Sequence, residues 1–165
     1  MSTPGIAAIA LSAFLTANAS AADLPEAISA PDEIAVMQVH AVGAQIYECK
    51  PDSHGKTVWQ FREPTASLMQ DGKTIGSHYA GPTWQIGNSI IVAKVVGRAP
   101  GAGANDAPWL KLEVTARQGG WPLSDVTTVQ RIDTVGGKLE GDCPKAGDLR
   151  AEPYSAEYVF LKKVT

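Results

Sequence analysis

Cysteine, basic residues and long apolar runs are all scarce in this sequence, and each scarcity argues against a class of protein. The 165 residues include only two cysteines, Cys49 and Cys143, so Cys-x-x-Cys redox chemistry is excluded and a metal site would need other ligands. The net charge of −3 lacks the basic excess of a nucleic-acid-binding protein. After residue 22 no apolar run is long enough to span a membrane.

The first residues have the layout of a secretory signal peptide. Residues 6–15 form an apolar stretch shorter than the ~20 residues of a membrane helix, and two small-x-small patterns follow within residues 17–21. No Lys or Arg precedes the stretch, and a disordered Ala-rich tail is the alternative. We expect a signal peptide over 1–21, cleavage near Ala21, and a periplasmic or secreted protein.

The remaining chain predicts one all-β domain over residues 34–165, preceded by an extended arm over 22–33. The 16 glycines and 11 prolines divide the chain into short segments, and none has a long helical period. Residues 109–116 alternate apolar and polar side chains, as in a strand with one dry face. Strands spaced by about ten residues, without helices between them, predict an antiparallel β-sandwich or β-barrel with long loops.

Alternation and β-branched content place the individual strands. Residues 89–96 are almost continuously apolar, which predicts a strand buried on both faces. Residues 123–132 carry apolar side chains at every third position, as in a helical turn, but their Val, Ile and Thr content favours a strand. The other predicted strands are 34–42, 44–49, 57–62, 65–69, 74–77, 109–116 and 154–161, with a long loop at 98–108.

The two cysteines can form only one disulfide, Cys49–Cys143. Export would bring them into an oxidising compartment, where such bridges persist. The chain-entropy model assigns about 4–5 kcal/mol to a bridge that closes a loop of this length. The bridge would therefore supply a large part of the stability of a single domain, which is about 5–15 kcal/mol.

The segment 76–84 contains the residue types of a reactive site. His78 could act as a base near neutral pH or bind a metal. A nucleophile would need a base and an orienting carboxylate, yet alternation along a strand places Ser77 and His78 on opposite faces. The sequence has no Gly-x-Ser-x-Gly elbow and no phosphate-binding loop. We therefore assign no catalytic residue and expect no cofactor, and a buried structural His78 is the alternative to a ligand-binding one.

Three further groups of side chains could have either a structural or a ligand-binding role. Arg131 interrupts an apolar run, where it would pair with a carboxylate, cap carbonyls or contact an anionic ligand. Trp59 and Phe61 share one strand face and are expected in the core. Other aromatics at strand ends could form a sugar- or lipid-binding platform or seal the core: Tyr79, Trp84, Trp109 and Trp121. The histidines have no short ligand spacing, so no metal site is predicted: His40, His54 and His78.

Several motifs, taken in chain order, resemble one family. They include the segment 43–49, the segment 76–84, Pro108-Trp109-Leu110, and 126–137 followed by Cys143 and 153–160. Together they resemble the DUF3455 family, a domain of unknown function in bacteria and fungi, over about residues 33–162. The resemblance implies export and the Cys49–Cys143 pairing, and it implies no reaction. Lys111 and Trp121 depart from the family pattern.

These observations lead to one function hypothesis and two alternatives. We expect an exported, non-catalytic domain that binds a small molecule, a glycan or a protein partner. The candidate ligand-binding residues are His78, Tyr79, Trp84, Trp109 and Arg131. The first alternative is an enzyme centred on His78 with Tyr79 and Arg131, which would need a carboxylate in the same pocket. The second is an inhibitor that projects the loop 98–108 into another enzyme of the envelope.

Overall fold

The computed structural model describes residues 24–164 and places them in one closed antiparallel β-barrel. The predicted signal peptide over 1–21 lies outside the described residues. Each strand pairs with its neighbours in the sequence, and the last strand pairs with the first. The strands are β1 (Glu33–Pro51), β2 (Thr57–Gln70), β3 (Lys73–Tyr79), β4 (Thr83–Ile86), β5 (Ser89–Ala99), β6 (Trp109–Gln118), β7 (Thr128–Gly136) and β8 (Leu149–Lys163).

The all-β class is confirmed, and of the two predicted architectures the chain adopts the barrel. In two places, a pair of predicted strands forms one continuous strand: 34–42 and 44–49 belong to β1, and 57–62 and 65–69 belong to β2. The segments 34–42 and 44–49 join through Gly43, where a Cβ atom would lie 2.0 Å from the carbonyl oxygen of Thr65. Glycine at this position therefore permits close approach of β2 and does not end β1.

One end of the barrel is filled with apolar side chains. We call it the closed end, and it carries the connections 71–72, 87–88 and 119–127. The last of these folds inward, so that Leu123 and Val126 are fully buried in the main core. Ser89 Oγ donates to the carbonyl of Gly120 (2.7 Å) and accepts from the backbone N–H of Leu123 (3.1 Å). These bonds hold the connection across the barrel.

Two strand predictions need correction. Residues 123–127 are turn and coil, and only 128–132 belong to β7, so the leaning to a strand over 123–132 was wrong in its first half. The three-residue period there reflects a turn that buries Leu123 and Val126. The segment 89–96 is not buried on both faces, because Lys94 and Val96 are exposed on the outside. A closed barrel needs only one fully dry face.

The opposite end, which we call the open end, carries the connections 52–56, 80–82, 100–108 and 137–148. The predicted disulfide is confirmed there: Cys49 and Cys143 are bonded, with 5.7 Å between their Cα atoms. Backbone bonds supplement it, from Cys143 N–H to the Thr57 carbonyl and from Gly147 N–H to the Cys49 carbonyl. The connection 137–148 is thereby fastened to the ends of β1 and β2.

The N-terminal segment lies against the outside of the barrel. A short 3₁₀ turn, Glu26–Ile28, buries Ile28 completely among Ala99, Ile132 and Trp109. Gln130 Nε2 donates to the carbonyl oxygen of Ile28 at 2.6 Å. The N-terminal segment thus covers the outer face of β7, which explains why this strand has buried side chains on both faces. On its inner face, Val129 packs in the main core and Arg131 lines the cavity.

Candidate functional site

A cavity of about 480 Å³ lies inside the barrel toward the open end. Side chains from all eight strands and from three open-end connections line it. The volume falls within the ~300–1,000 Å³ that is usual for small-molecule sites. The cavity exists because the inward connection 119–127 fills the closed end only, and none of the open-end connections contributes to the main apolar core.

Three aromatic side chains form one wall of the cavity. The imidazole of His78 stacks on the indole of Trp84, with 4.4 Å between ring centroids and 15° between ring planes. Tyr158 meets both rings edge-on, at 4.9 Å from His78 and 5.4 Å from Trp84. All three side chains are almost wholly buried. The wall is therefore rigid and mainly apolar.

The geometry fixes the protonation state of His78. Its Nδ1 lies 2.8 Å from the backbone carbonyl oxygen of Thr83, which only accepts, so Nδ1 carries the hydrogen. Burial lowers the pKa of His78 to about 3, because the charged imidazolium is poorly solvated in the barrel. His78 is thus a neutral imidazole near neutral pH, and its Nε2 is an acceptor.

Arg131 is the charged group most deeply placed in the cavity wall, and only 6% of it is exposed. Its Nε and Nη2 donate to the carbonyl oxygen of Pro108 at 3.1 and 2.8 Å. Its Nη1 donates to Gln45 Oε1 at 3.4 Å. Among residues 24–164 no ion pair includes Arg131. Its hydrogen bonds go to carbonyl oxygens, and the Tyr158 hydroxyl lies beside its guanidinium group.

Polar groups near Arg131 are only partly satisfied. Two buried donors on cavity-lining side chains, Gln45 Nε2 and Trp84 Nε1, have no hydrogen-bond partner among the described residues. The hydroxyls of Tyr154 and Tyr158 lie 3.2 Å apart. Burial raises the pKa of both phenols, which therefore stay neutral. The unpaired polar groups on the lining side chains are therefore donors, and the residues that line the cavity include no buried carboxylate.

The mouth of the cavity combines aromatic and cationic side chains. Phe61 is 53% exposed and meets Tyr47 edge-on at 5.8 Å. Trp59 lines the cavity beside it and is partly buried, so the prediction that Trp59 and Phe61 belong to the core was wrong. Both residues lie near the start of β2, at the open end of the barrel. The charged lining residues are Arg62, Arg98, Arg131, Lys138 and Glu140.

The lining is therefore cationic, although the whole chain has a net charge of −3. Glu140 is the one acidic residue among those that line the cavity; its side chain is 75% exposed and lies 3.4 Å from Lys138 Nζ. Arg62 lies 3.4 Å from Glu63. Arg98 takes part in no ion pair within residues 24–164. Low-dielectric walls strengthen the field of such a set of charges.

The structure brings three of the five candidate ligand-binding residues together and separates the other two. His78, Trp84 and Arg131 line the cavity. Tyr79 is on the outside, where its hydroxyl donates to Gln85 Oε1 at 3.3 Å. Trp109 packs against Ile28 on the outer face. Alternation predicts that His78 and Tyr79 face opposite ways, and the structure shows that His78 is the inward one.

Sequence reasoning did not identify Gln45 and Tyr158 as site residues. Gln45 is 2% exposed and is the polar member of an inward series with Tyr47 and Cys49. Gln45 could have been assigned to the interior because it lies two and four residues before Tyr47 and Cys49, and every second residue of a strand points to the same face. Tyr158 belongs to the alternating aromatics of β8, which is also the series that contains Tyr154. An alternating series with one polar member marks an inward polar position in a barrel.

The three histidines lie apart from one another, two of them outside the cavity. His40 lies outside the barrel, with Nδ1 2.7 Å from Glu157 Oε1, and His54 is exposed in the turn after β1. Within residues 24–164 no cluster of three or more His, Cys, Asp or Glu side chains is placed to hold a metal ion. In the same range, no helix has the length and apolar character to cross a membrane.

Fold and site together define a class: a small, disulfide-bonded, eight-stranded antiparallel barrel with an internal cavity that opens at one end. The family follows from the sequence match. The model of the family described as "Protein of unknown function (DUF3455)" matches residues 30–162, and the chain belongs to this family. Comparison with curated proteins gave no match. Comparison with solved structures gave none either.

Proposed function

We propose that this protein is a non-catalytic binding protein that holds a small molecule with an apolar body inside its barrel. The observation that carries the proposal is the cavity of about 480 Å³ at the open end. Its walls combine apolar and aromatic side chains with a few polar groups, as is usual for small-molecule sites. A glycan or a protein partner fits less well, because the polar groups are few and lie inside the barrel.

The enzyme alternative receives less support. The partner of His78 is a backbone carbonyl and not a carboxylate. Its pKa of about 3 makes it a weak base near neutral pH, where an efficient general base has a matching pKa. The carboxylate in the cavity lining, Glu140, is exposed at the mouth and paired with Lys138. This set is suited to holding a ligand and poorly suited to proton transfer.

The inhibitor alternative also receives less support. The connection 100–108 is bound to the barrel through Asp106, which accepts the backbone N–H of Gly136 at 2.7 Å and of Gly103 at 2.8 Å. Thr134 Oγ1 donates to the carbonyl oxygen of Ala107, which is buried. A connection held down in this way forms part of the cavity rim.

We further propose that the protein acts after export, in the periplasm or outside the cell. The disulfide Cys49–Cys143 is compatible with an oxidising compartment. The layout of residues 1–21 supports the same location. A protein that encloses apolar ligands in such a compartment would carry or store molecules that dissolve poorly in water.

Two tryptophan substitutions at adjacent positions test internal binding. Val95 lines the cavity, whereas Val96 is 50% exposed on the outside of the same strand. We expect Val95→Trp to fill the cavity and to weaken binding of the neutral fluorescent probe N-phenyl-1-naphthylamine by roughly tenfold or more, since several buried CH₂ contacts are lost. Val96→Trp adds the same indole outside and should leave probe binding unchanged. Equal binding by both variants and the unmodified protein would contradict the proposal.

A further inference from the structure

We infer that the cavity selects amphipathic monocarboxylates, with the carboxylate bound by Arg131 and its neighbouring donors and the apolar body directed toward the mouth. This inference rests on the proposed function and specifies its ligand class. Three observations carry it: the charge of Arg131, the unpartnered donors beside the cavity, and the cationic mouth.

The first observation is that Arg131 lacks an anionic partner. A buried charge is costly unless it is paired, and a guanidinium has five N–H donors in a planar fork that matches a carboxylate. The contacts with Pro108 and Gln45 use three of those donors, and the Gln45 contact is long at 3.4 Å. One N–H on each terminal nitrogen makes no bond to a carbonyl oxygen, and the Tyr158 hydroxyl is the neutral group beside them. Because one cation lies at this depth, a monoanion is the matching charge.

The second observation is that two unsatisfied buried donors belong to side chains that line the same cavity. Gln45 Nε2 and Trp84 Nε1 are buried and lack an acceptor among the described residues, and both side chains line the cavity. An unpaired buried donor costs about 1–3 kcal/mol. A carboxylate contributes only acceptors, about four lone-pair sites, so it supplies what these groups lack. An ammonium group contributes only donors and would add to the deficit.

The third observation is the distribution of charge and apolar surface toward the mouth. Arg62, Arg98 and Lys138 line the cavity. Arg62 pairs with Glu48 and Glu63 and Lys138 pairs with Glu140, whereas Arg98 takes part in no ion pair within residues 24–164, so its charge attracts anions. Apolar lining side chains also lie toward the open end, where β1 ends, β2 begins and the connection 137–148 passes: Tyr47, Phe61 and Leu139. A small inorganic anion would leave this surface without contacts. A ligand with both a carboxylate and an apolar chain uses all of it.

The inference is tested by calorimetric titration of the full folded protein with three ligands of equal chain length. These are dodecanoate and dodecylammonium, each below its micelle concentration, and dodecan-1-ol below its solubility limit. We expect dodecanoate to bind roughly tenfold or more tightly than dodecan-1-ol, because hydrogen bonds to a charged group exceed those to a neutral one. Dodecylammonium should bind most weakly.

Three variants assign the effect to named groups. Arg131→Met should weaken dodecanoate binding roughly tenfold or more and change dodecan-1-ol binding by less than about threefold. Arg62→Met removes the same charge from the exposed mouth and should cost less than about threefold, since exposed charges interact weakly. If Arg131→Met does not fold, as judged by circular dichroism, Gln45→Leu replaces it and should reduce the preference for dodecanoate severalfold.

The outcomes separate the inference from the proposed function. Binding of dodecan-1-ol at least as tightly as dodecanoate would overturn the head-group inference and leave the proposed function intact. An equal loss of dodecanoate binding in Arg62→Met and Arg131→Met would overturn the role of Arg131. If none of the three ligands binds and the neutral naphthylamine probe does not bind either, the proposed function fails and the inference fails with it.

Discussion

At the closed end of the barrel, the connection 119–127 turns inward and buries Leu123 and Val126 in the main core. At the open end, the connection 137–148 lies across the rim and is held by the disulfide and by backbone hydrogen bonds. One end is thus stabilised by burial of apolar side chains, the other by a covalent bond. The disulfide holds the rim without filling the interior beneath it, which stays available for a ligand, whereas the buried side chains of the connection 119–127 fill the closed end.

Removing the disulfide should give the largest loss of stability. The Cys49→Ala/Cys143→Ala double variant frees a loop with a sequence separation of 94 residues. We expect the free energy of unfolding to fall by about 4–5 kcal/mol, because the unfolded chain regains the loop entropy. Urea denaturation measures this change. A loss below about 1 kcal/mol would show that backbone bonds alone hold the rim.

The closed end should respond next most strongly. Leu123→Ala should lower the free energy of unfolding by about 2–5 kcal/mol, because it leaves a cavity where the fully buried side chains of the connection 119–127 pack in the core. Phe61→Ala deletes a larger side chain from the open end, where more than half of Phe61 is exposed. We expect it to cost less than about 1 kcal/mol. Equal costs for the two variants in thermal and urea unfolding would remove the distinction between the ends.

The smallest effect should appear on acidification, through His78 at the cavity wall. The pKa of His78 is about 3 in the folded protein and 6.5 in the unfolded chain, so the unfolded state binds more protons between these values. His78 therefore contributes stability that is present above pH 6.5 and is lost as the pH falls toward 3. From pH 7 to pH 5 we expect this loss to be about 2 kcal/mol.

The variant His78→Gln checks that assignment, because glutamine retains an N–H donor for the Thr83 carbonyl but does not titrate. Its stability should decline less between pH 7 and pH 5 than that of the unmodified protein. His54→Gln, in the exposed turn after β1, keeps His78 and should retain the full decline. A decline in His78→Gln as steep as that of the unmodified protein would contradict the role of His78.

The sequence predicted the all-β class and the disulfide because both depend on simple features. Alternation over a few residues marks a strand, and two cysteines allow one bridge. The choice between sandwich and barrel depends on pairing of β1 with β8, from Glu33–Lys163 to Glu48–Leu149. That pairing joins the two ends of the domain, and no local pattern encodes it.

The site was predicted only in part for a related reason. Alternation shows that His78 and Tyr79 point to opposite faces, but it does not show which face is inside. Burial selects His78, whereas Trp109 is partly buried against the N-terminal segment on the outer face. Trp59 and Phe61 look like core residues by composition. They lie at the rim because the connection 119–127 fills the opposite end of the barrel, and which end is filled depends on the whole fold.

Closure of the barrel has a consequence for the solution behaviour of the protein. The seam between β1 and β8 pairs the two longest strands and closes the ring, so neither strand has a free edge along the seam. Unpaired edges are templates for pairing with other chains and hence for aggregation. Because one seam completes the ring, opening it would expose two long edges at once. Resistance to aggregation is therefore a collective property of the ring, and it depends on the seam where the two ends of the domain meet.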